Sequence, residues 1–170
     1  MADAESVLNR GADKISINSP ALQSPGLISD LALRFGSQCV VVGIDSLEQD
    51  GDFRVFQFTG DLQKSGDSGW QTLDWVRRVQ ELGAGEIVLN CMNRDGVRKG
   101  YDTAQLAQIR PLCNVPLVAS GGAGSAQHFE DVFSVASVDG ALAASVFHSS
   151  DISIRDLKRY LHGAGVHVRF

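Results

Sequence analysis

Five short apolar runs, rich in β-branched residues and separated by helix signals, constrain this chain more than any other feature. They are DKISIN (Asp13–Asn18), CVVVGID (Cys39–Asp45), EIVLNCM (Glu86–Met92), PLVASGG (Pro116–Gly122) and GALAASVF (Gly140–Phe147), and they read as strands. The helix signals are Ser24 ahead of Pro25, Asp102 with Gln105 three residues on, Ser125 before AQHFEDVF, and a capping box of Ser153 and Asp156. The strongest helix is expected over Trp70–Gly85, where Leu73, Val76, Val79 and Leu82 form an apolar stripe and Gly83 suits the C-terminal cap. Trp70 and Trp75 then read as packing residues. Apolar strands alternating with helices imply parallel strands covered by helices, since each return to the same edge of the sheet needs a crossover. A barrel and an open doubly wound sheet both satisfy that pattern. The alternation is interrupted only after Asp45, where residues 46–69 form a long loop in which FRVFQF could make a hairpin. Loops of that length usually serve a site, so this one is expected to lie over it.

Composition removes several classes of function. With 170 residues, 44% of them hydrophobic, the chain can bury a core as one domain spanning residues 1–170. A net charge of -5 without a basic block gives nucleic acid no footing. No apolar stretch suits a membrane span or a secretion signal, so a soluble cytoplasmic protein is expected. Cys39, Cys91 and Cys113 form an odd set with no CxxC and no Cys/His cluster, which favours neither a disulfide framework nor a metal site.

In parallel α/β folds ligands gather at the C-terminal ends of the strands. The residues found there are Asn18 and Ser19, then Asp45, then Asn90 with Asp95 and Gly96, then Ser120, Gly121 and Gly122, and last Ala144 and Ser145. All are small, polar or glycine. Small residues free backbone N–H groups to face an anion, so Ser120–Gly122 and Ala144–Ser145 read as one phosphate pocket made by adjacent loops. A tight turn without a ligand is the alternative, and repetition on neighbouring strands favours the pocket. Asp45 and Asp95 read either as turn caps or as carboxylates that exchange protons with a substrate.

The segments RGADKISINSPAL, VVVGID, GAGEIVLNCMNRDGVRKGYD, VPLVASGGAGSAQHF and DGALAASVFH resemble the cyclase subunit of imidazole glycerol phosphate synthase, a (β/α)₈-barrel family of histidine biosynthesis. The resemblance covers the chain from about Gly11 onward. It implies an enzyme without a cofactor, in which ammonia from a glutaminase partner converts a bisphosphorylated ribulosyl substrate to imidazole glycerol phosphate and aminoimidazole carboxamide ribotide. Asp45 matches a catalytic aspartate. Asn18 and Ser19 match part of one phosphate site, and Asp95, Gly96, Ser120, Gly121, Gly122, Ala144 and Ser145 match positions around the substrate and its other phosphate. Lys14 and Glu86 match a charged ring at the opposite, ammonia-entry mouth; as bare residues they are charges at strand starts that could form a salt-bridged rim.

Eight βα units take about 250 residues, and the pattern here resembles units four to eight, a partial barrel of five units with outer helices. The resemblance therefore implies a truncated chain with little activity alone, since the family's second catalytic aspartate lies in the absent units. Open edges at Asp13–Asn18 and Gly140–Phe147 lead to the expectation of a homo-oligomer. The other readings are the related sugar-phosphate isomerase of the same pathway and a non-catalytic phosphate-binding module that self-assembles.

Overall fold

A computed structural model describes residues 1–61 and 63–170. The apolar runs become strands β1 (Ile15–Ile17), β2 (Val40–Gln49), β5 (Glu86–Cys91), β6 (Leu117–Ser120) and β7 (Gly140–Leu142), with β3 (Asp52–Gln57) and β4 (Gly66–Gln71) between β2 and β5. The helices are α1 (Ala2–Asn9), α2 (Ser19–Gln23), α3 (Gly26–Phe35), α4 (Thr72–Glu81), α5 (Thr103–Ile109), α6 (Ala126–Ala136), α7 (Ser145–His148) and α8 (Ile154–Gly163). The pairs β1–β2, β2–β5, β5–β6 and β6–β7 are parallel, whereas β2–β3 and β3–β4 are antiparallel. The result is an α/β fold with a mostly parallel sheet and flanking helices, of the TIM-barrel type. Among the described residues β1 pairs only with β2, and β7 only with β6.

Side chains alternate across a strand, so register decides which set is buried. Ile15, Val40, Val42, Ile44, Ile87, Leu89, Leu117 and Ala119 all turn to the helices and are buried. They pack against Ile28 and Leu31 of α3, Trp75 and Val79 of α4, Leu106 and Ile109 of α5, and Phe129 and Val132 of α6. Each Val, Leu or Ile side chain among them, removed from water, contributes about 1.5–3 kcal/mol. The other face is more open: Ser16 is exposed, Val88 and Val118 are half-buried, and Leu142 is 46% exposed. Ile15 and Ile17 therefore belong to the helix side, and Leu142 to the open side.

Three expected elements need correction. The expected loop over residues 46–69 is mostly strand, because β2 continues to Gln49 and folds with β3 and β4 into an antiparallel meander. Its first turn takes Asp50 and Gly51 at φ 54° and 86°, the left-handed pair that suits the twist of a tight hairpin. The helix expected from Trp70 starts at Thr72, since Trp70 and Gln71 complete β4; the Trp70 ring instead packs on Trp75, with centroids 5.0 Å apart. The fifth apolar run is a strand only to Leu142. Past it the chain turns helical: the N–H groups of Phe147 and His148 donate to the Ala144 carbonyl at 3.1 and 3.0 Å, and Phe147 packs on Phe129.

Caps follow chemistry where a side chain is free to reach back. Asp102 accepts from the Gln105 N–H at 3.0 Å and Ser153 from the Asp156 N–H at 3.4 Å. Ser125 precedes α6 but makes no such bond; the neighbouring Gly124 N–H donates to His128 Nδ1 at 3.0 Å, so the loop is tied to the first turn from the helix side. Pro25, not Ser24, occupies the N-cap of α3.

Burial pushes the Cys113 thiol from 9.0 up to about 11, and it raises Cys91 and the Tyr101 phenol further. These groups stay neutral in the folded chain at a pH where the unfolded chain has begun to ionise them. The contribution of Cys113 to stability is therefore complete below pH 9 and is lost as pH rises through about 11, and those of Cys91 and Tyr101 are lost at higher pH still. Calorimetric melting should be flat just below pH 9 and fall above it. An unchanged melting temperature through that window would contradict the burial assigned to the three side chains.

Candidate active site

Asp45 lies where the two ladders of β2 overlap: it sits opposite Asn90 in the parallel ladder and opposite Phe56 in the antiparallel one. Its carboxylate points to the open face and is only 8% exposed. Oδ2 accepts from Asn18 Nδ2 at 2.8 Å and from the Thr59 hydroxyl at 2.6 Å, while Oδ1 accepts from Asn90 Nδ2 at 2.9 Å. Three neutral donors thus hold the carboxylate, and no ion pair reaches it among the described residues. Both amide oxygens, Asn18 Oδ1 and Asn90 Oδ1, are buried and lack a partner among the described residues. They are acceptors left over at the site. Ser19 is engaged differently: its Oγ accepts from the Phe58 N–H at 2.8 Å, with Phe58 held at φ 55°.

A second group gathers on the far strands. Asp95, Gly96, Ser120, Gly121, Gly122, Ala144 and Ser145 line one cavity together with Arg98, Ala123, Leu142 and Ala143. Its volume of about 140 Å³ exceeds the roughly 30 Å³ share of one water several times over. Arg98 is among its lining residues, and the Arg98 guanidinium pairs with Asp151 outside that lining. Asp95 and Asp45 do not share this cavity; Asp95 is exposed on its rim. Asn90 links the two regions, lying between Asp45 and Ser120 in the parallel ladder.

The glycines of SGGAG serve a close backbone approach before anything else. A Cβ on Gly122 would lie 2.1 Å from the Gly100 carbonyl oxygen, and one on Gly124 2.1 Å from that of Arg98. Gly122 also has φ 109°, and its carbonyl accepts from the Gly100 N–H at 2.8 Å. The loop after β6 is thereby laid against the NRDGVRKG loop after β5, and the cavity forms along that seam.

At the other end of the strands Lys14, just ahead of β1, pairs with Glu86 at the start of β5. The pair is partly exposed, and such pairs contribute about 0–1 kcal/mol. No group of three or more His, Cys, Asp or Glu among the described residues could hold a metal ion, and no helix among them is long and apolar enough to cross a membrane. Sequence reasoning missed Thr59 and Arg98. Thr59 reaches Asp45 only because the meander folds back, and Arg98 carries no motif beyond being basic in a glycine-rich loop.

This arrangement of strand-end side chains coincides with a family match over residues 1–153. The chain belongs to the histidine biosynthesis protein family. It is 65% identical over 167 residues to the imidazole glycerol phosphate synthase subunit HisF of Xanthomonas euvesicatoria, covering 98% of this chain and 65% of that protein. The HisF subunit of Vibrio cholerae is 59% identical over 169 residues, covering 98% of this chain and 66% of that one. The chain thus spans about two thirds of the length of these relatives.

Within this histidine biosynthesis fold the Gly122 contact can be tested directly. Gly122→Ala forces a side chain against the Gly100 carbonyl and into a positive φ, a strain of about 1–3 kcal/mol. The melting temperature should drop and the Gly100 amide should lose its protection from hydrogen exchange. A variant as stable and as protected as the parent would remove the seam from the account.

Proposed function

We propose that this chain carries five of the eight βα units of an imidazole glycerol phosphate synthase cyclase, equivalent to units four to eight of its barrel. In this reading the complete site uses ammonia from a glutaminase partner to convert a bisphosphorylated ribulosyl aminoimidazole carboxamide to imidazole glycerol phosphate and aminoimidazole carboxamide ribotide. The order of groups along the strand ends carries the reading. Asn18 and Ser19 lie at one end, Asp45 and Asn90 in the middle, and the Ser120–Ser145 cavity at the other. A substrate with a phosphate at each end would span that row with its reacting centre over Asp45.

Asp45 then serves as the acid–base group, moving a proton to and from the nitrogen as the ring closes. Its three neutral donors keep the carboxylate aimed, and the unpartnered oxygens of Asn18 and Asn90 offer acceptors to substrate hydroxyl or N–H groups. Gly96, Gly121, Gly122 and Ala144 offer backbone to one phosphate beside Arg98, and Asp95 borders the substrate. Lys14 and Glu86 stand at the opposite ends of the strands, where ammonia would enter.

The chain supplied alone with ammonia and substrate should turn over little or not at all, and adding the remaining three units in trans should restore some rate. Asp45→Asn should then lower kcat by about 10²–10⁴. Unchanged turnover in that variant would overturn the role given to Asp45. Inorganic phosphate should protect the amides of Gly121 and Gly122 from exchange, and no protection at saturating phosphate would count against the cavity as a phosphate site.

A second reading, a phosphate-binding module that self-assembles, draws on the singly paired β1 and β7 and on the exposed Leu142. It leads to a homo-oligomer joined through the open sheet face. Light scattering over a dilution series should read a mass above 18.2 kDa; a compact monomer at micromolar concentration would remove it.

A further inference from the structure

The residue beside Asp45 faces the other way and is part of a buried polar cluster that the proposed chemistry does not use. Ser46, Thr72 and Gln105 are 0%, 0% and 1% exposed, among apolar side chains. The Ser46 and Thr72 hydroxyls are 2.8 Å apart, and Gln105 Nε2 donates to Ser46 Oγ. Ser46 Oγ thus joins both partners, accepting from Gln105 and sharing a hydrogen bond with the Thr72 hydroxyl. Polar groups so deeply buried cost free energy unless they are paired, so the cluster is a commitment that an apolar trio of similar size would not need.

Its place in the fold says what it does. Ser46 is where the chain leaves the parallel sheet for the meander, and Thr72 is where it returns to start α4. The hydroxyl pair closes the base of that excursion, and Gln105, on the first turn of α5, braces it; Gln105 is itself held by the Asp102 cap. On one side of the clasp is Asp45, one residue away. On the far end of the excursion is Thr59, whose hydroxyl binds Asp45. The Met92 N–H also donates to the Ser46 carbonyl at 2.8 Å, tying the same residue to the strand that carries Asn90.

The geometry points to Ser46, Thr72 and Gln105 as positioning residues: a buried clasp that sets the direction of the Asp45 carboxylate and brings Thr59 back onto it. The positioning claim rests on the coordinates around Asp45, and its catalytic consequence rests on the cyclase reading. Thr72→Val keeps the shape of the side chain and removes its hydroxyl; Thr72→Ser keeps the hydroxyl. In the intact chain the side-chain NH₂ resonances of Asn18 and Asn90, both bound to Asp45, should shift or broaden in Thr72→Val and return toward the parent positions in Thr72→Ser. A variant that melts lower while both resonances stay in place would overturn the proposal, since a merely structural role predicts that result. If Thr72→Val does not fold, the unmodified protein decides: a clasped Ser46 or Thr72 hydroxyl proton should exchange slowly enough with water to be seen, and fast exchange of both would overturn the clasp. In the reconstituted reaction the same variant should lower kcat on the order of tenfold to a hundredfold with KM unmoved. Absence of turnover in the parent protein even with the remaining three units supplied in trans would sink the cyclase reading alone, because the resonance arm needs no reaction.

Discussion

Strand β2 meets three partners along its length: β1 at its start, β5 through most of its run and β3 at its end. Period two then turns Asp45 to the open face and Ser46 to the helices. Everything built at the strand ends depends on that one register. A slip by one residue would turn a carboxylate into the helix-side core and send the Ser46 hydroxyl, now bonded to Thr72 and Gln105, to the open face. The aliphatic residues Val40, Val42 and Ile44, all buried on the helix side, hold the register by the area such a slip would expose.

The two halves of the candidate site are held by different physics. Around Asp45 the determinants are side-chain hydrogen bonds from elements far apart in sequence, reaching back to Asn18 and forward to Asn90. Around the cavity the determinant is backbone proximity, with the loop after β6 pressed on the loop after β5 at Gly100 and Arg98. Hydrogen-bonded side chains can turn when a ligand competes for them. The loops at the cavity meet through their main chains, and that contact does not depend on side-chain rotamers. The unpartnered amide oxygens of Asn18 and Asn90 belong to the adaptable half.

Period and caps made the parallel core readable in advance. The runs at Asp13–Asn18, Glu86–Met92 and Pro116–Gly122 contain β1, β5 and β6, and the run at Cys39–Asp45 covers the start of β2, because hydrophobic alternation and β-branching act locally. Asp102 caps α5 as its spacing implied. The meander was less legible, since β4 (GDSGWQ) has no apolar alternation and exists by pairing with β3. The run at Gly140–Phe147 misled for the opposite reason: small apolar residues suit either state, and the bonds from Phe147 and His148 to Ala144 decided for helix.

The sequence by itself determined the class of fold, the order of the parallel strands along the chain and the small or polar residues that follow them, because each follows from chemistry within a few neighbours. Tertiary structure alone decided which of those residues meet. It put Asn18, Thr59 and Asn90 on one carboxylate, kept Asp95 away from it, and closed the buried pair of Ser46 and Thr72 beneath it. Such contacts join residues tens of positions apart, and no local periodicity encodes them; they appear only when the crossovers bring strand ends side by side.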